Sequence, residues 1–262
     1  MKDKSKLESM LRGLYLSSFV RNYEDFATNA ERAKLGHIQY LNELVRVEAQ
    51  ERDARRVEGL LKKAKLIPGK SLSNFQFARQ PSLSPGRVRE LAEGDFLDRS
   101  ENILLFGVPG AGKSHLASAL GREWCLRGRR TLFITAAKLV EQLLKAKRDL
   151  GLQSYIKELD RFEAVVVDDI SYVPFSRDET DVLFILLAER YENRSVIITS
   201  NLVFSEWQSV FKDPMTTRAA IDRLIHHATI LELKESYRAA EAKRRKEHEK
   251  DKKENKTNAA TG

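Results

Sequence analysis

Apolar side chains along this chain follow two different periods, and the change from one to the other divides it. Leu7, Met10, Leu11 and Leu14 fall at i, i+3, i+4 and i+7, the spacing of one helix face, and no proline interrupts the stretch 7–26. The pattern predicts a helix there, whole or with one break. Ile38, Leu41, Leu44 and Val45 open a second helical pattern that continues through Leu60 and Leu61 until Ile67-Pro68-Gly69 stops it. Residues 1–66 therefore read as a small all-helical N-terminal module. Over 67–100, Pro81, Pro85 and Gly86 punctuate the apolar anchors Phe75, Phe77 and Phe96, as in a connector with short ordered pieces. Short β-branched or apolar runs follow at 103–106, 131–134, 164–167, 195–199 and 229–233, separated by longer stretches of helical character. Strands that are apolar on both faces and alternate with helices predict an α/β domain over 101–237, with a mostly parallel sheet covered on both sides. Residues 238–262 hold many Lys, Arg and Glu and almost no apolar side chains, so a frayed basic helix or a disordered tail is expected.

Composition adds limits. With 42% hydrophobic and 32% charged residues in 262, the chain has a globular composition, which excludes collagen-like and wholly disordered classes. The longest apolar run, Val182 to Ala188, is far below the roughly 18–20 residues that span a bilayer, and the N-terminal lysines have no apolar segment behind them. Neither a membrane span nor a signal peptide is expected. Cys125 is the single cysteine, which leaves no internal disulfide and no thiolate pair for zinc and fits a reducing, cytoplasmic location.

The net charge of +8 sits at the ends of the chain. Residues 1–66 carry 14 basic and 10 acidic side chains and 238–262 carry 9 and 5, whereas 67–237 hold 23 of each. Such concentration points to an acidic partner such as nucleic acid. The second helix displays Arg46, Arg52, Arg55, Arg56, Lys62 and Lys63, enough to neutralise phosphates along one groove. Their alternation with Glu48, Glu51, Asp53 and Glu58 equally suits ion pairs along the helix.

The chemistry is carried by three motifs. Gly107-Val108-Pro109-Gly110-Ala111-Gly112-Lys113-Ser114 satisfies G-x-x-x-x-G-K-[ST] directly after a predicted strand and before a helical stretch. Glycines let such a loop fold its N–H groups around phosphate oxygens, and the helix that follows adds its positive end. Gly107, Pro109, Gly110, Ala111, Gly112, Lys113, Ser114 and the adjoining His115 are thus the expected nucleotide contacts, with Lys113 reaching the β and γ phosphates and Ser114 ligating Mg²⁺. Next, the apolar strand 164–167 ends in Asp168 and Asp169. Asp168 is placed to hold the Mg²⁺ shell, and Asp169 to orient the attacking water or accept its proton. Finally Asn201, at the tip of the strand 195–199, is placed to hydrogen-bond the γ-phosphate or the nucleophilic water.

Together these residues resemble Walker A, Walker B and sensor 1 of an AAA+ ATPase. Leu11-Arg12-Gly13-Leu14, Gln80-Pro81-Ser82, Asp222-Arg223-Leu224-Ile225-His226-His227 and Glu235-Ser236-Tyr237-Arg238 are further similar to segments of IstB-type transposition helper proteins, relatives of the DnaC helicase loader. The resemblance spans about residues 7–238. It implies a P-loop NTPase of the AAA+/ASCE type with a small N-terminal helical domain that contacts DNA or a partner and no full lid. It further implies an ATPase using ATP and Mg²⁺, slow and stimulated by DNA or a partner; Asp169 stands where Glu is more usual, which leaves the rate of hydrolysis open. Such a protein assembles as a homo-oligomer on double-stranded DNA, largely independent of sequence, and recruits and stimulates an IstA-type transposase. The alternative is a DnaC-like replicative helicase loader. Carried over by position, Arg223 matches the arginine that AAA+ proteins project into a neighbouring subunit's nucleotide, with Arg218 as runner-up. Arg238 stands at a sensor 2 position, although only 24 residues follow it.

Other classes fit less well. A small-molecule kinase needs an acceptor pocket and lid arginines. A GTPase needs an Asn-Lys-x-Asp motif, which is missing. A DNA-binding scaffold with a degenerate nucleotide site would differ in ATP turnover. His226 and His227 suggest a metal, but neighbours on a helix do not face one site.

Overall fold

A computed structural model describes residues 2–170, 175–202, 206–207 and 221–237. Arg218, Arg238 and the expected basic tail lie outside the described residues. The chain divides into two compact units, Met1–Gly59 and Leu60–Gly262. None of the described helices is long and apolar enough to cross a membrane.

The first unit is helical. The helix expected over 7–26 is broken in two, α1 (Lys2–Gly13) and α2 (Ser17–Arg32), because Tyr15 takes a positive φ of 58° and ends the helical course beyond Gly13. The apolar spacing reaches Leu14, and the positions that would carry it on, Ser17 and Ser18, are polar. The third helix, α3 (His37–Ala64), lies antiparallel to α2: Glu48 accepts the Ser18 N–H at 2.9 Å, and Tyr40 donates to the Tyr23 carbonyl at 3.1 Å. Of the described side chains in this unit only Ser18, Ala30, Leu44 and Glu48 are buried, so its helices are held by polar links more than by a core.

The second unit is built on a sheet. Short 3-10 turns at Leu72–Asn74 and Phe77–Arg79 lead to α4 (Pro85–Glu93), which opens with Ser84 capping the Arg87 N–H and Pro85 at the first helical position. It closes at Gly94, and α5 (Asp95–Asp98) follows. Then come β1 (Asn102–Gly107), α6 (Lys113–Leu126), β2 (Thr131–Thr135), α7 (Ala136–Arg148), α8 (Leu152–Leu159), β3 (Ala164–Asp168), α9 (Arg177–Arg190), β4 (Ser195–Ser200) and β5 (Ala228–Leu233). All strand pairs are parallel, in the order β2-β3-β4-β1-β5. The five expected strands are therefore found.

Alternate residues of each strand feed opposite cores, as a two-sided sheet requires. Leu104, Phe106, Val165, Val167, Val196 and Ile198 pack beneath α7, α8 and α9. Ile103, Leu105, Val166, Ile197, Leu231 and Leu233 face α4 and α6, with Trp124 fully buried among them. This arrangement puts the carboxyl ends of β1, β3 and β4 on one edge, where open α/β sheets bind ligands.

Candidate functional site

The loop between β1 and α6 is fixed by packing that only glycine allows at two points. Gly107 pairs with Leu233 of β5, and a Cβ on it would fall 2.0 Å from the Leu233 carbonyl oxygen. At Gly112, with φ +98°, a Cβ would meet the rings of Tyr237 and Phe75 at 3.2 and 3.3 Å. Three successive loop carbonyls are engaged from outside. Pro109 accepts the Ser236 hydroxyl at 2.9 Å, Gly110 the Tyr237 N–H at 3.0 Å, and Ala111 the Gln80 amide at 2.9 Å. The first N–H groups of a helix have no intrahelical acceptor. Those of α6 lie where Gly112, Lys113 and Ser114 line a cavity of about 710 Å³, within the usual range for small-molecule sites.

The cavity also gathers the other predicted side chains. Lys113 Nζ donates to the Gly107 and Val108 carbonyls at 2.6 and 3.1 Å and to Asn201 Oδ1 at 2.6 Å. Asn201 in turn donates to Asp169 at 3.1 Å, so loop lysine, strand-tip amide and second acid form one chain. Burial pushes the Asp169 carboxyl above its ordinary value, and the neighbouring Asp168 adds to this while Lys113 opposes it. Asp168 is buried at the end of β3 and accepts the Thr199 hydroxyl at 2.6 Å, while Thr199 accepts the Asp169 N–H at 2.8 Å. That pair of bonds sets Asp169 in its left-handed conformation, φ +62°.

Pro109, Gly110, Gly112, Lys113, Ser114, His115, Asp169 and Asn201 line the cavity; Gly107, Ala111 and Asp168 are not among its lining residues. His115 also turns its Nε2 to the Ser71 carbonyl at 3.1 Å and Asn74 Oδ1 at 2.8 Å, and burial draws its imidazole below the ordinary histidine value. Arg223 is exposed and is not among the residues that line the cavity. The sequence motifs give no role to Gln80, Thr199 or Tyr237. Gln80 is fully buried and bridges Ala111 to Glu235, accepting the Glu235 N–H at 3.3 Å and donating to its carbonyl at 2.5 Å. Tyr237 donates to the Gln76 carbonyl at 2.8 Å beneath the Arg79 guanidinium.

One geometric expectation is corrected. His226 closes the helical segment 221–226 and His227 lies in the turn beyond it, so their rings converge to 4.1 Å, with Glu192 placing its carboxylate within 4.8 Å of both. The rule for helix neighbours fails because the helix has ended.

Residues 9–246 match the family described as IstB-like ATP binding protein. The chain belongs to this IstB-like family. Among its relatives, an insertion-sequence ATP-binding protein of Sinorhizobium fredii is 44% identical over 94% of this chain and 83% of its own length. The ATP-binding protein of insertion sequence IS21 from Pseudomonas aeruginosa is 38% identical over 91% of each. Among solved structures, the DnaC helicase loader matches 56% of the IstB-like chain and 86% of its own at a TM-score of 0.50 and 19% identity. AMPPCP-bound DnaA from Aquifex aeolicus matches 64% and 51% at 0.53 and 20%. At these identities the likeness is one of fold: the IstB-like core is an AAA+ P-loop fold.

Proposed function

We propose that this protein is an ATP-dependent switch of an insertion sequence, which binds and hydrolyses ATP, assembles on double-stranded DNA and recruits a transposase of the IstA type. The observation that carries the ATPase part is the hydrogen-bonded chain Lys113–Asn201–Asp169 beside a loop whose carbonyls are tied back on the outside. Lys113 neutralises the terminal phosphates. Asn201 and Asp169 orient the water that attacks the γ-phosphorus, and Asp169, its acidity weakened by burial, accepts the proton as the bond to the β-phosphate oxygen breaks.

The hydroxyl of Ser114 and the carboxylate of Asp168 are hard oxygen donors of the kind that suits Mg²⁺. Two acids sit side by side at the end of β3, and the charge of Asp168 raises Asp169 against the opposing Lys113, so an added cation is electrostatically welcome. Bound there, Mg²⁺ would supply positive charge to offset the charge that develops on the phosphate. Arg223, exposed and not among the residues lining its own chain's cavity, suits a group that completes a neighbouring subunit's site, which makes the active form an oligomer.

ATP turnover with and without duplex DNA tests this reading. Lys113→Ala is expected to abolish turnover and nucleotide-dependent assembly, and Arg223→Ala to keep nucleotide binding while losing stimulated hydrolysis. Full assembly by the first variant, or unchanged turnover by the second, contradicts it. The likeness to the DnaC fold favours a second reading, a helicase loader. Parallel pull-downs against transposase and replicative helicase separate the two.

A further inference from the structure

Several arginines are already engaged. Arg46, Arg56, Arg87, Arg99, Arg127 and Arg129 each hold a carboxylate at 2.8 Å or closer. Arg52, on the α3 stripe that the sequence marks for phosphate contact, is bonded to Glu48 at 2.6 Å and to the Tyr15 carbonyl at 2.9 Å. Using that stripe for DNA means giving up these internal bonds.

One region of the second unit differs. Two adjoining cavities, of about 440 and 370 Å³, run along β2, the edge strand of the sheet, and share Lys63, Glu158 and Phe162 in their walls. Lys65 after α3, Arg130 ahead of β2 and Arg161 between α8 and β3 complete the rim. All four cationic side chains are exposed, and among the described residues none has a carboxylate at ion-pair distance. Glu158 is the one acid in either lining. Leu132, Ile134 and Leu159 on the floor are no more than 5% exposed and Leu60, Tyr155 and Phe162 are half-buried, so the fully exposed side chains that an incoming ligand meets first are chiefly the cations of the rim. That balance suits a phosphodiester backbone better than a peptide held by apolar side chains.

The groove is also rigid. The buried Arg190 donates to the carbonyls of Leu159, Phe162 and Ser195 and so braces the turn that carries Arg161. The Arg130 carbonyl accepts from Glu163 and Ala164, and its N–H donates to the Glu163 carboxylate at 2.8 Å. Wall and rim are therefore held before anything binds, which lowers the entropy lost on binding.

We propose that this groove, rimmed by Lys63, Lys65, Arg130 and Arg161, is a track for the phosphates of DNA. The proposal rests on the DNA-binding reading above and places its electrostatic contacts on the edge of the ATPase core instead of on the arginines of α3. The test is fluorescence anisotropy of the full chain with ATP and a mixed-sequence duplex, across a range of salt. The variant Lys63→Gln/Lys65→Gln/Arg130→Gln/Arg161→Gln breaks no ion pair among the described residues, and its nucleotide affinity reports that the core has folded.

Its log–log salt slope is expected to be shallower by about 3.6, roughly 0.9 for each phosphate no longer neutralised, with nucleotide affinity unchanged. Arg55→Gln/Arg56→Gln is expected to keep the wild-type slope. A wild-type slope in the fourfold variant overturns the groove while leaving DNA binding intact. Loss of transposase capture with DNA affinity kept also overturns it, and reassigns the groove to an acidic peptide. A wild-type protein that ignores duplex under all conditions fails the DNA reading itself, which is a different result from either.

Discussion

The two units of this protein solve the same problem in opposite ways. In the α/β core, both faces of the sheet are covered, and Ile103, Leu104, Leu105, Val165, Val166 and Ile197 are sealed from water. Among the described residues of the helical unit, Leu44 is the only large apolar side chain buried, while Ile38, Leu41, Met10 and Leu14 are each more than half exposed. A unit of about 60 residues is marginal on burial alone. Glu48 compensates in part: it is buried, accepts the Ser18 N–H at the start of α2, and holds Arg52 at 2.6 Å. Changes to the core should therefore be costly and change ATP handling, whereas changes to the helical unit should be cheaper and leave it alone.

The largest effect is expected at Gly107. Its missing Cβ is the space in which the Leu233 backbone lies, and backbone in a paired strand cannot give way. Gly107→Ala should cost on the order of 4 kcal/mol or more, in the exceptional class of single substitutions, and abolish nucleotide binding. Denaturant unfolding with fluorescent nucleotide titration measures both. A variant with normal melting and ATP affinity would show that the β1–β5 contact is looser than described.

Gln80→Leu comes next. It strips partners from the Ala111 and Glu235 carbonyls and the Glu235 N–H, groups that lie against the phosphate loop. About 2–4 kcal/mol is expected for that number of under-satisfied groups. ATP affinity should fall further than in a core variant of equal stability loss, because the loop's outer bracing goes with it. Equal loss in both would make Gln80 a packing residue only.

These residues also mark what the sequence could and could not convey. Strands apolar on both faces, the loop 107–114, and the acids and amide at strand ends are local signals, and the fold places Lys113, Asp169 and Asn201 in one cavity. Gln80 meets Glu235 across 155 positions, and no local period marks a partnership of that kind. The break between α1 and α2 was left open for another reason: the apolar spacing runs to Leu14 and does not mark where the backbone at Tyr15 reverses. On α3, mixed charge left two readings open, and the geometry shows Arg46, Arg52 and Arg56 in ion pairs. In His226 and His227 the error lay in extending helix geometry one residue too far.

In the helical unit, Leu44→Ala is expected to cost about 2–3 kcal/mol, as for other buried leucines, with ATP affinity unchanged. Helicity lost on heating measures the first and nucleotide titration the second. A loss of ATP binding would break the separation between the units.

Acid should act on the same unit through Glu48. Burial alone would raise its pKa, but the bonds from Arg52 and the Ser18 N–H outweigh this and hold the carboxyl below the ordinary glutamate value. A depressed pKa contributes stability that is complete above the unfolded value, near 4.3, and is lost as pH falls through the folded one. The melting temperature of the helices should therefore fall below about pH 4.3, and Glu48→Gln should flatten that decline. An identical acid limb in the variant would place the loss elsewhere.

The smallest effect is expected where the contrast between the units is most visible. Ile38 and Leu41 are 77% and 52% exposed, so Ile38→Gln/Leu41→Gln removes little buried area and should change stability by no more than about 0.5 kcal/mol. The helical unit would then stand on its polar links and Leu44, as its burial implies. A loss several times larger would mean that this face of α3 is covered in solution. Repeating the melt at different protein concentrations would then separate cover by a second copy, which depends on concentration, from cover within one chain, which does not.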